Sequence, residues 1–336
     1  MYKHNSPRFK MTVMAGVLAG ALLAPVAHAG LVKVDGSSTV FPITEAVAEE
    51  FQKSVKSKTK VTVGISGTGG GFKKFCRGET DISDASRPIL KKEMEDCKKA
   101  GIEYIELPVA FDALTVIINP KNTWAGELTV AELKKMYEPS AQGKVNNWNQ
   151  IRAGFPNAPL KLAGAGADSG TFDYFTEAVV GKAKSSRGDY MATEDDNVTI
   201  QFVSRDPNAI GYLGLAYYVE NKDKVKAVGI KVDDKSPTVL PSLETVNKGT
   251  YQPLSRPIFI YINRKSADNP EVAAFVEYYM KHGAKLSKEV GYVDLPAKAY
   301  TMALDNFKRR KTGTAFGGEA EVGVSVEELL QREGKH

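Results

Sequence analysis

The chain has 336 residues, 42% of them hydrophobic, with 45 basic side chains against 40 acidic ones and only two cysteines. An N-terminal leader holding Lys3, Arg8 and Lys10, and no acidic residue, accounts for three charges, so its removal lowers the formal net charge from +5 to +2. That balance leaves no electrostatic footprint for nucleic acid or an anionic membrane, and the length suits two domains.

Residues 1–29 read as a secretory signal. Lys3, Arg8 and Lys10 form its positive region, residues 11–24 are apolar, and Ala27-His28-Ala29 offers a small-x-small cleavage site. The mature protein is therefore expected to begin at Gly30, cleaved after Ala29, in the periplasm. An apolar run of about 14 residues is too short to span a bilayer. No cysteine follows it to carry a lipid anchor.

Strand-like and helical runs then alternate, which points to α/β layers with mostly parallel sheets. Residues 31–34 and 61–65 read as the first strands. Between them Pro42 sits in a first helical turn, and Ile43, Val47, Phe51 and Val55 repeat every four residues as a buried stripe. A short helix carries Phe72, Phe75 and Cys76. Another opens at Pro88 and places Leu90, Met94 and Cys97 on one face, with Gly101 as its stop. In an oxidising compartment Cys76 and Cys97 can form a disulfide joining those helices; two separate buried thiols are the alternative.

Residues 114–119 form a dense apolar strand, and Thr129-Val130-Ala131-Glu132 is a capping box for a helix to Tyr137. Residues 160–163 read as a strand, followed by a helix with Phe172, Phe175 and Val179 inside and Gly181 at its end. A further strand at 258–262 precedes a helix after Asn269-Pro270. His282, before Gly283, is expected to sit at that helix's C-terminal dipole. Residues 311–336 change composition and are expected to be a flexible tail with a marginal helix from Ser325.

Three strand-to-helix junctions share one chemistry: Gly36-Ser37-Ser38-Thr39-Val40, Ser66-Gly67-Thr68-Gly69-Gly70-Gly71 and Asp168-Ser169-Gly170-Thr171. Each puts free backbone N–H groups, a positive helix end and small hydroxyls at one point, which suits an anion. Arginines would add forked, charge-assisted bonds; Arg87, Arg187 and Arg205 are the candidates, and Asp84 and Asp168 lie nearest the turns as acceptors. Catalytic readings lack their parts. After the leader only His282 and His336 remain, no Gly-x-Ser-x-Gly elbow occurs, and the 164–171 loop lacks the lysine of a phosphate loop. No catalytic residue, metal site or cofactor is assigned.

Together, Val34-Asp35-Gly36-Ser37-Ser38-Thr39-Val40-Phe41-Pro42-Ile43, Gly67-Thr68-Gly69-Gly70-Gly71-Phe72, Asp81-Ile82-Ser83-Asp84-Ala85-Ser86-Arg87-Pro88 and Asp168-Ser169-Gly170-Thr171-Phe172 resemble the PstS-type phosphate-binding proteins of ABC transporters. The resemblance covers nearly all of residues 31–310. It implies a type II periplasmic binding fold, with two α/β lobes of mixed, mostly parallel sheets, helices on both faces and a ligand cleft between the lobes. Lobe 1 is expected over 30–113 plus 256–310, and lobe 2 over 114–255.

The implied function is high-affinity binding of inorganic phosphate in the periplasm and delivery to an inner-membrane ABC importer, by a monomer whose lobes close on the anion. Another oxyanion, such as sulfate or molybdate, is the alternative; a secreted phosphatase is the less favoured one. The resemblance assigns backbone groups near Val40 and Phe41, hydroxyls of Ser38, Thr39 and Thr68, and the grip of Ser169, Gly170 and Thr171. Two departures stand out. Ser86 occupies a position where many members carry an aspartate acceptor, and Ala165 one where many carry an arginine. Arg87 or Arg187 is expected to supply the missing cation.

Overall fold

A computed structural model describes residue 1 and residues 30–54, 59–167, 169–193, 195–319 and 324–335. The export signal with its cleavage site, Val55, Asp168 and His336 lie outside the described residues. From Leu31 the elements run β1 (Leu31–Gly36), α1 (Phe41–Ser54), β2 (Lys60–Ile65), α2 (Thr68–Cys76), β3 (Ile82–Ala85), α3 (Lys91–Lys99) and β4 (Tyr104–Ile118). A middle stretch follows with β5 (Glu127–Thr129), α4 (Val130–Tyr137), β6 (Lys161–Ala165), α5 (Gly170–Phe175), β7 (Met191–Thr193), α6 (Asp196–Arg205), β8 (Ala209–Gly214), α7 (Leu215–Glu220), β9 (Lys226–Ala227), β10 (Gly229–Lys231) and α8 (Leu243–Asn247). The chain ends with β11 (Ser255–Asn263), α9 (Pro270–Glu289), α10 (Ala297–Lys308) and α11 (Val326–Lys335).

The main sheet has the order β2-β1-β3-β11-β4-β8-β6-β7, with β9 also on β4. β1 is parallel to β2 and β3, and β6 is parallel to β7 and β8. β11 is antiparallel to β3 and β4, and β4 is antiparallel to β8. The sheet is thus mixed within each half: the outer strands run parallel, and β11 and β4 toward its middle run antiparallel to their neighbours. β4 spans both: residues 104–113 pair with β11 and residues 114–118 with β8. Every residue of β4 and of β11 is buried, as strands covered on both faces require. Since β11 returns to the first half after the whole middle stretch, two polypeptide passages join the halves.

Local chemistry explains most element ends. Val40 and Phe41 start α1 by donating their N–H groups to Ser37 O (3.2 and 3.0 Å), and Pro42 follows where a missing N–H leaves nothing unpaired. The capping box at α4 forms: Thr129 N–H donates to Glu132 Oε2 (2.9 Å) and Glu132 N–H to Thr129 Oγ1 (3.1 Å). Two starts and stops differ from expectation. The helix expected to open at Pro88 begins at Lys91, where the Glu93 carboxylate accepts the Leu90 N–H at 2.9 Å. α9 runs on through Gly283 to Glu289. Gly283 packs against Tyr300 of α10, where a Cβ would stand 3.0 Å from the ring; its size permits close helix packing rather than ending the helix. His282 therefore lies inside α9, its ring tilted by 31° against Tyr278 at 4.1 Å between ring centroids, and not at a C-terminal dipole.

Cys76 and Cys97 form a disulfide across 21 residues, tying α2 to α3. Replacing both by serine is expected to lower unfolding free energy by roughly 3 kcal/mol, because a loop of that size regains its denatured-state freedom. The urea midpoint would report it; an unchanged midpoint would mean α2 and α3 hold together equally well without the bond.

The segment after Arg310 is not a free tail in its described parts. Gly313 N–H donates to Tyr104 O (2.9 Å), Thr314 Oγ1 donates to Glu106 (2.6 Å) and Ala315 N–H donates to Glu106 as well (2.8 Å). Phe316 is buried edge-on to Phe259, and Leu329 of α11 is fully buried. Composition hid this, because a few apolar anchors among glycines suffice once a strand edge and a buried carboxylate offer partners.

Candidate functional site

The first and second glycine-hydroxyl turns converge with elements of the other half around a cavity of about 310 Å³. From the first half it is lined by Ser37, Ser38 and Thr39, by the turn from Ser66 to Gly70, and by Ser86 and Arg87. Across it stand Asp173, Glu177 and Lys184, with Arg256 from β11 beside the junction of the halves.

Each wall follows from its local sequence. The β1 turn is pinned from behind, since Ser37 N–H donates to Asp84 O (3.0 Å) and Ser37 Oγ accepts the Thr39 N–H (3.2 Å). At the second turn no side chain caps α2, so the first N–H groups of that helix stay available beside the cavity. Thr68 Oγ1 and Ser86 Oγ lie 2.9 Å apart, and Thr68 Oγ1 accepts the Ser86 N–H (3.1 Å). Asp35 secures this wall through Ser66 Oγ and Lys74 Nζ (2.7 Å to the latter).

The halves touch directly. Ser38 Oγ donates to Asp173 Oδ2 (2.9 Å), Thr39 Oγ1 donates to Gly170 O (3.2 Å), and Arg256 Nη1 donates to Glu177 Oε2 (2.9 Å). Tyr292 OH donates to Thr39 O (2.6 Å) and holds the turn from the side. Arg256 also lies over the Tyr174 ring at 3.7 Å from its centroid and opposite Asp112 in the β4–β11 register. Burial pushes Asp112 up to about 7 against the pull of Arg256. Burial likewise raises Asp173, with Ser38 and Lys184 drawing it back.

The expected site residues divide. Ser38, Thr39, Thr68, Ser86 and Arg87 line the cavity. Ser169, Gly170 and Thr171 are not among the residues that line it: Gly170 abuts Ser38 and Thr39 of the first turn, and Ser169 Oγ accepts the Thr171 N–H (3.1 Å) as the cap of α5. The N–H groups of Val40 and Phe41 are engaged by Ser37 O. Arg87 forms a two-pronged pair with Glu93, both arms at 2.9 Å. Arg187 is not brought to the cavity; it is buried in the second half, donating to Met136 O (3.1 Å), Val145 O (2.8 Å) and Asp189. Arg205 ends α6 at the surface. Asp84 is fully buried behind the first turn, accepting from Thr44 Oγ1 (3.1 Å), and burial pushes it up to about 8.

Sequence reasoning missed Arg256, Asp173 and Glu177. The available signals were a lone arginine at the mouth of an apolar strand and two carboxylates four residues apart, on one helix face, directly after Ser169-Gly170-Thr171. Among the described residues no group of three His, Cys, Asp or Glu side chains could hold a metal ion, and no helix is long and apolar enough to cross a membrane.

Residues 24–282 match the family model described as PBP superfamily domain. Protein SphX of Synechococcus elongatus is 54% identical over 308 residues, covering 92% of this chain and 90% of SphX. The phosphate-binding protein PstS of Staphylococcus saprophyticus is 41% identical over 275 residues, covering 81% of this chain and 82% of that protein. A crystal structure from Planctomyces limnophilus, described as a possible phosphate binding protein, superimposes with a TM-score of 0.80 at 47% identity, covering 84% of this chain and 99% of that one.

Proposed function

The chain belongs to the PstS-type phosphate-binding family within the PBP superfamily, a two-lobed α/β fold, and from that premise we propose that it captures inorganic phosphate in the periplasm and delivers it to an ABC-type importer. The export signal routes it there, with the mature protein starting at Gly30. The observation that carries this reading is the cavity of about 310 Å³ whose first-half wall is built of hydroxyls, helix-terminal N–H groups and the guanidinium groups of Arg87 and Arg256, closed from the second half by Asp173, Glu177 and Lys184. Neutral donors hold a desolvated oxyanion well when nearly all of its oxygens are satisfied.

The protein works by clamping, and no bond is broken. Lobe 1 comprises 30–113 and 256–310, lobe 2 comprises 114–255, and they turn about the two passages near Ala113 and Ser255. Ser38–Asp173, Thr39–Gly170 and Arg256–Glu177 are contacts made only when the lobes are shut. A ligand that binds the shut form better draws the population toward it. Thr68 and Ser86 swing their paired hydroxyls from each other onto the anion, while the N–H groups of α2 approach it from the same wall.

Calorimetry on mature protein stripped of bound anion is the test. Saturable one-to-one binding of phosphate is expected, with sulfate and molybdate much weaker and no hydrolysis of a phosphomonoester. Thr68→Ala with Ser86→Ala should weaken phosphate by about a hundredfold, two lost donors at ~1–1.5 kcal/mol each. Tight sulfate or molybdate binding in place of phosphate would overturn the ligand assignment. An unweakened double variant would remove that wall from the site.

A further inference from the structure

One residue behind the cavity holds the first turn at both of its ends. The backbone carbonyl of Asp84, on β3, accepts the Ser37 N–H where the turn leaves β1 (3.0 Å). Its side-chain Oδ1 accepts Thr44 Oγ1 (3.1 Å) in the first turn of α1, where the chain arrives. Thr44 Oγ1 also lies 3.1 Å from Tyr279 OH of α9; its one proton goes to Asp84, so Tyr279 donates. Between these ends Tyr292 OH holds Thr39 O (2.6 Å). The turn framed in this way presents Ser38 and Thr39 to the cavity and makes the Ser38–Asp173 and Thr39–Gly170 contacts with the other half.

Asp84 is fully buried, and its second oxygen has no hydrogen-bond partner. The charged group that faces it is another carboxylate, Asp35 of β1, which Lys74 of α2 engages at 2.7 Å. α1 meets it with the Thr44 hydroxyl and α9 with the Tyr279 phenol, and β11 sets Ile260 opposite it in register. None of these groups neutralises a carboxylate, and burial pushes Asp84 up to about 8, so it stays a neutral acid.

We propose that the Asp84 side chain is a positioning residue of the anion site: by fixing α1 to β3 it sets the turn from which Ser38 and Thr39 meet the anion and the opposite lobe. The proposal rests on the phosphate reading above and adds a residue that never touches the ligand. It makes capture depend on the charge behind the wall. Once ionised, Asp84 must draw in water, which shifts Thr44 and Ser37 with it, and its charge repels the anion across the turn. By reciprocity, a bound anion favours the neutral form of Asp84. The capturing form is therefore complete well below about 8 and is lost as pH rises through that value.

Calorimetry with phosphate on native protein, Asp84→Asn, Asp84→Ala, Thr44→Val and the double variant Asp84→Ala with Thr44→Val tests the assignment, with thermal melting to establish that each is folded. Asp84→Ala and Thr44→Val should each weaken phosphate by about tenfold at about pH 7, and the double variant no further, because both cut the same bond. Asp84→Asn keeps the acceptor for Thr44 and cannot ionise, so it should bind like native protein up to about pH 7. By about pH 9 native protein should bind about tenfold more weakly than Asp84→Asn, since only about a tenth of it is still neutral. Phosphate's own titration is common to both proteins and cancels in their ratio. A native-to-Asn ratio that stays constant from about pH 6 to about pH 9, or undiminished affinity in folded Asp84→Ala, would overturn the proposal. Native protein that binds no phosphate would instead overturn the reading beneath it.

Discussion

Gly170→Ala is expected to bind phosphate about a hundredfold more weakly than the native protein while melting at nearly the same temperature. A Cβ at this position would stand 2.5 Å from Thr39 Cα, 2.6 Å from Thr39 N and 2.7 Å from Ser38 C. All three are backbone atoms, and the turn that carries them is held by Ser37 on Asp84 O and by Tyr292 on Thr39 O. Neither side can yield locally, so the two lobes must part. Parting also stretches Ser38–Asp173 and Thr39–Gly170. The core of each half is untouched, since Gly170 begins α5 at the surface where the halves meet. The penalty falls on the shut form, and apparent affinity drops by the fraction of molecules able to shut, about 3 kcal/mol for the change stated. Calorimetry gives the affinity, and small-angle scattering in saturating phosphate should show a more open particle. Native-like affinity would mean that the first and third turns do not meet when the anion is held.

The three turns were legible because their signal is local. Small hydroxyls and glycines at a strand-to-helix junction dictate exposed N–H groups whatever the rest of the chain does. Their unequal fates were not. Whether a turn lines the cavity or forms the seam beside it depends on how two distant segments dock, and Gly170 differs from Gly69 only in what faces it. The charged groups were harder still. Arg187 sits in a polar loop, where an anion-binding arginine is easily imagined, yet two carbonyl oxygens and Asp189 engage it inside the second half. Arg256 sits between Ser255 and Pro257 at the entry to an apolar strand. Its approach to residues 173 and 177 exists only after β11 has crossed back to the first half.

The alternation of strands and helices showed an α/β architecture, and the capping box at Thr129 and the stripe on α1 located elements correctly within the described residues. The mixed sheet was less readable, because antiparallel pairing of β11 with β3 and β4 is a property of chain return. Residues 114–119 looked like a whole strand; they overlap the second half of a 15-residue strand whose first half carries Glu106 and Pro108. Those two residues interrupt the apolar pattern. Glu106 does so because it has partners that the local sequence could not supply.

Those partners make the C-terminal segment structural, and a chain ending at Arg310 is expected to lose about 5 kcal/mol of stability. Buried Phe316 and Leu329 would each contribute ~3 kcal/mol, partly offset by the ordering of the segment. The truncation also strips Glu106 of Thr314 and Ala315, leaving Tyr261 OH as its protein donor. An unshifted urea midpoint would rule this contribution out. Glu106 itself gives a finer readout. Burial pushes its carboxyl from an ordinary value near 4.5 up to about 7, with Thr314, Tyr261 and Ala315 pulling the other way. Between those values the folded state holds a proton that the unfolded state has released, so this group's stabilisation is complete below about 4.5 and is lost as pH rises through about 7. The loss amounts to about 3 kcal/mol at ~1.4 kcal/mol per unit. Glu106→Gln removes the titration while keeping the side-chain shape. Melting temperatures of the native protein should therefore fall relative to that variant as pH rises from 4.5 to 7 and run parallel to it at higher pH. Curves parallel across the whole range would mean that Glu106 ionises as readily in the fold as in the open chain, and its three donors would then hold a carboxylate rather than an acid.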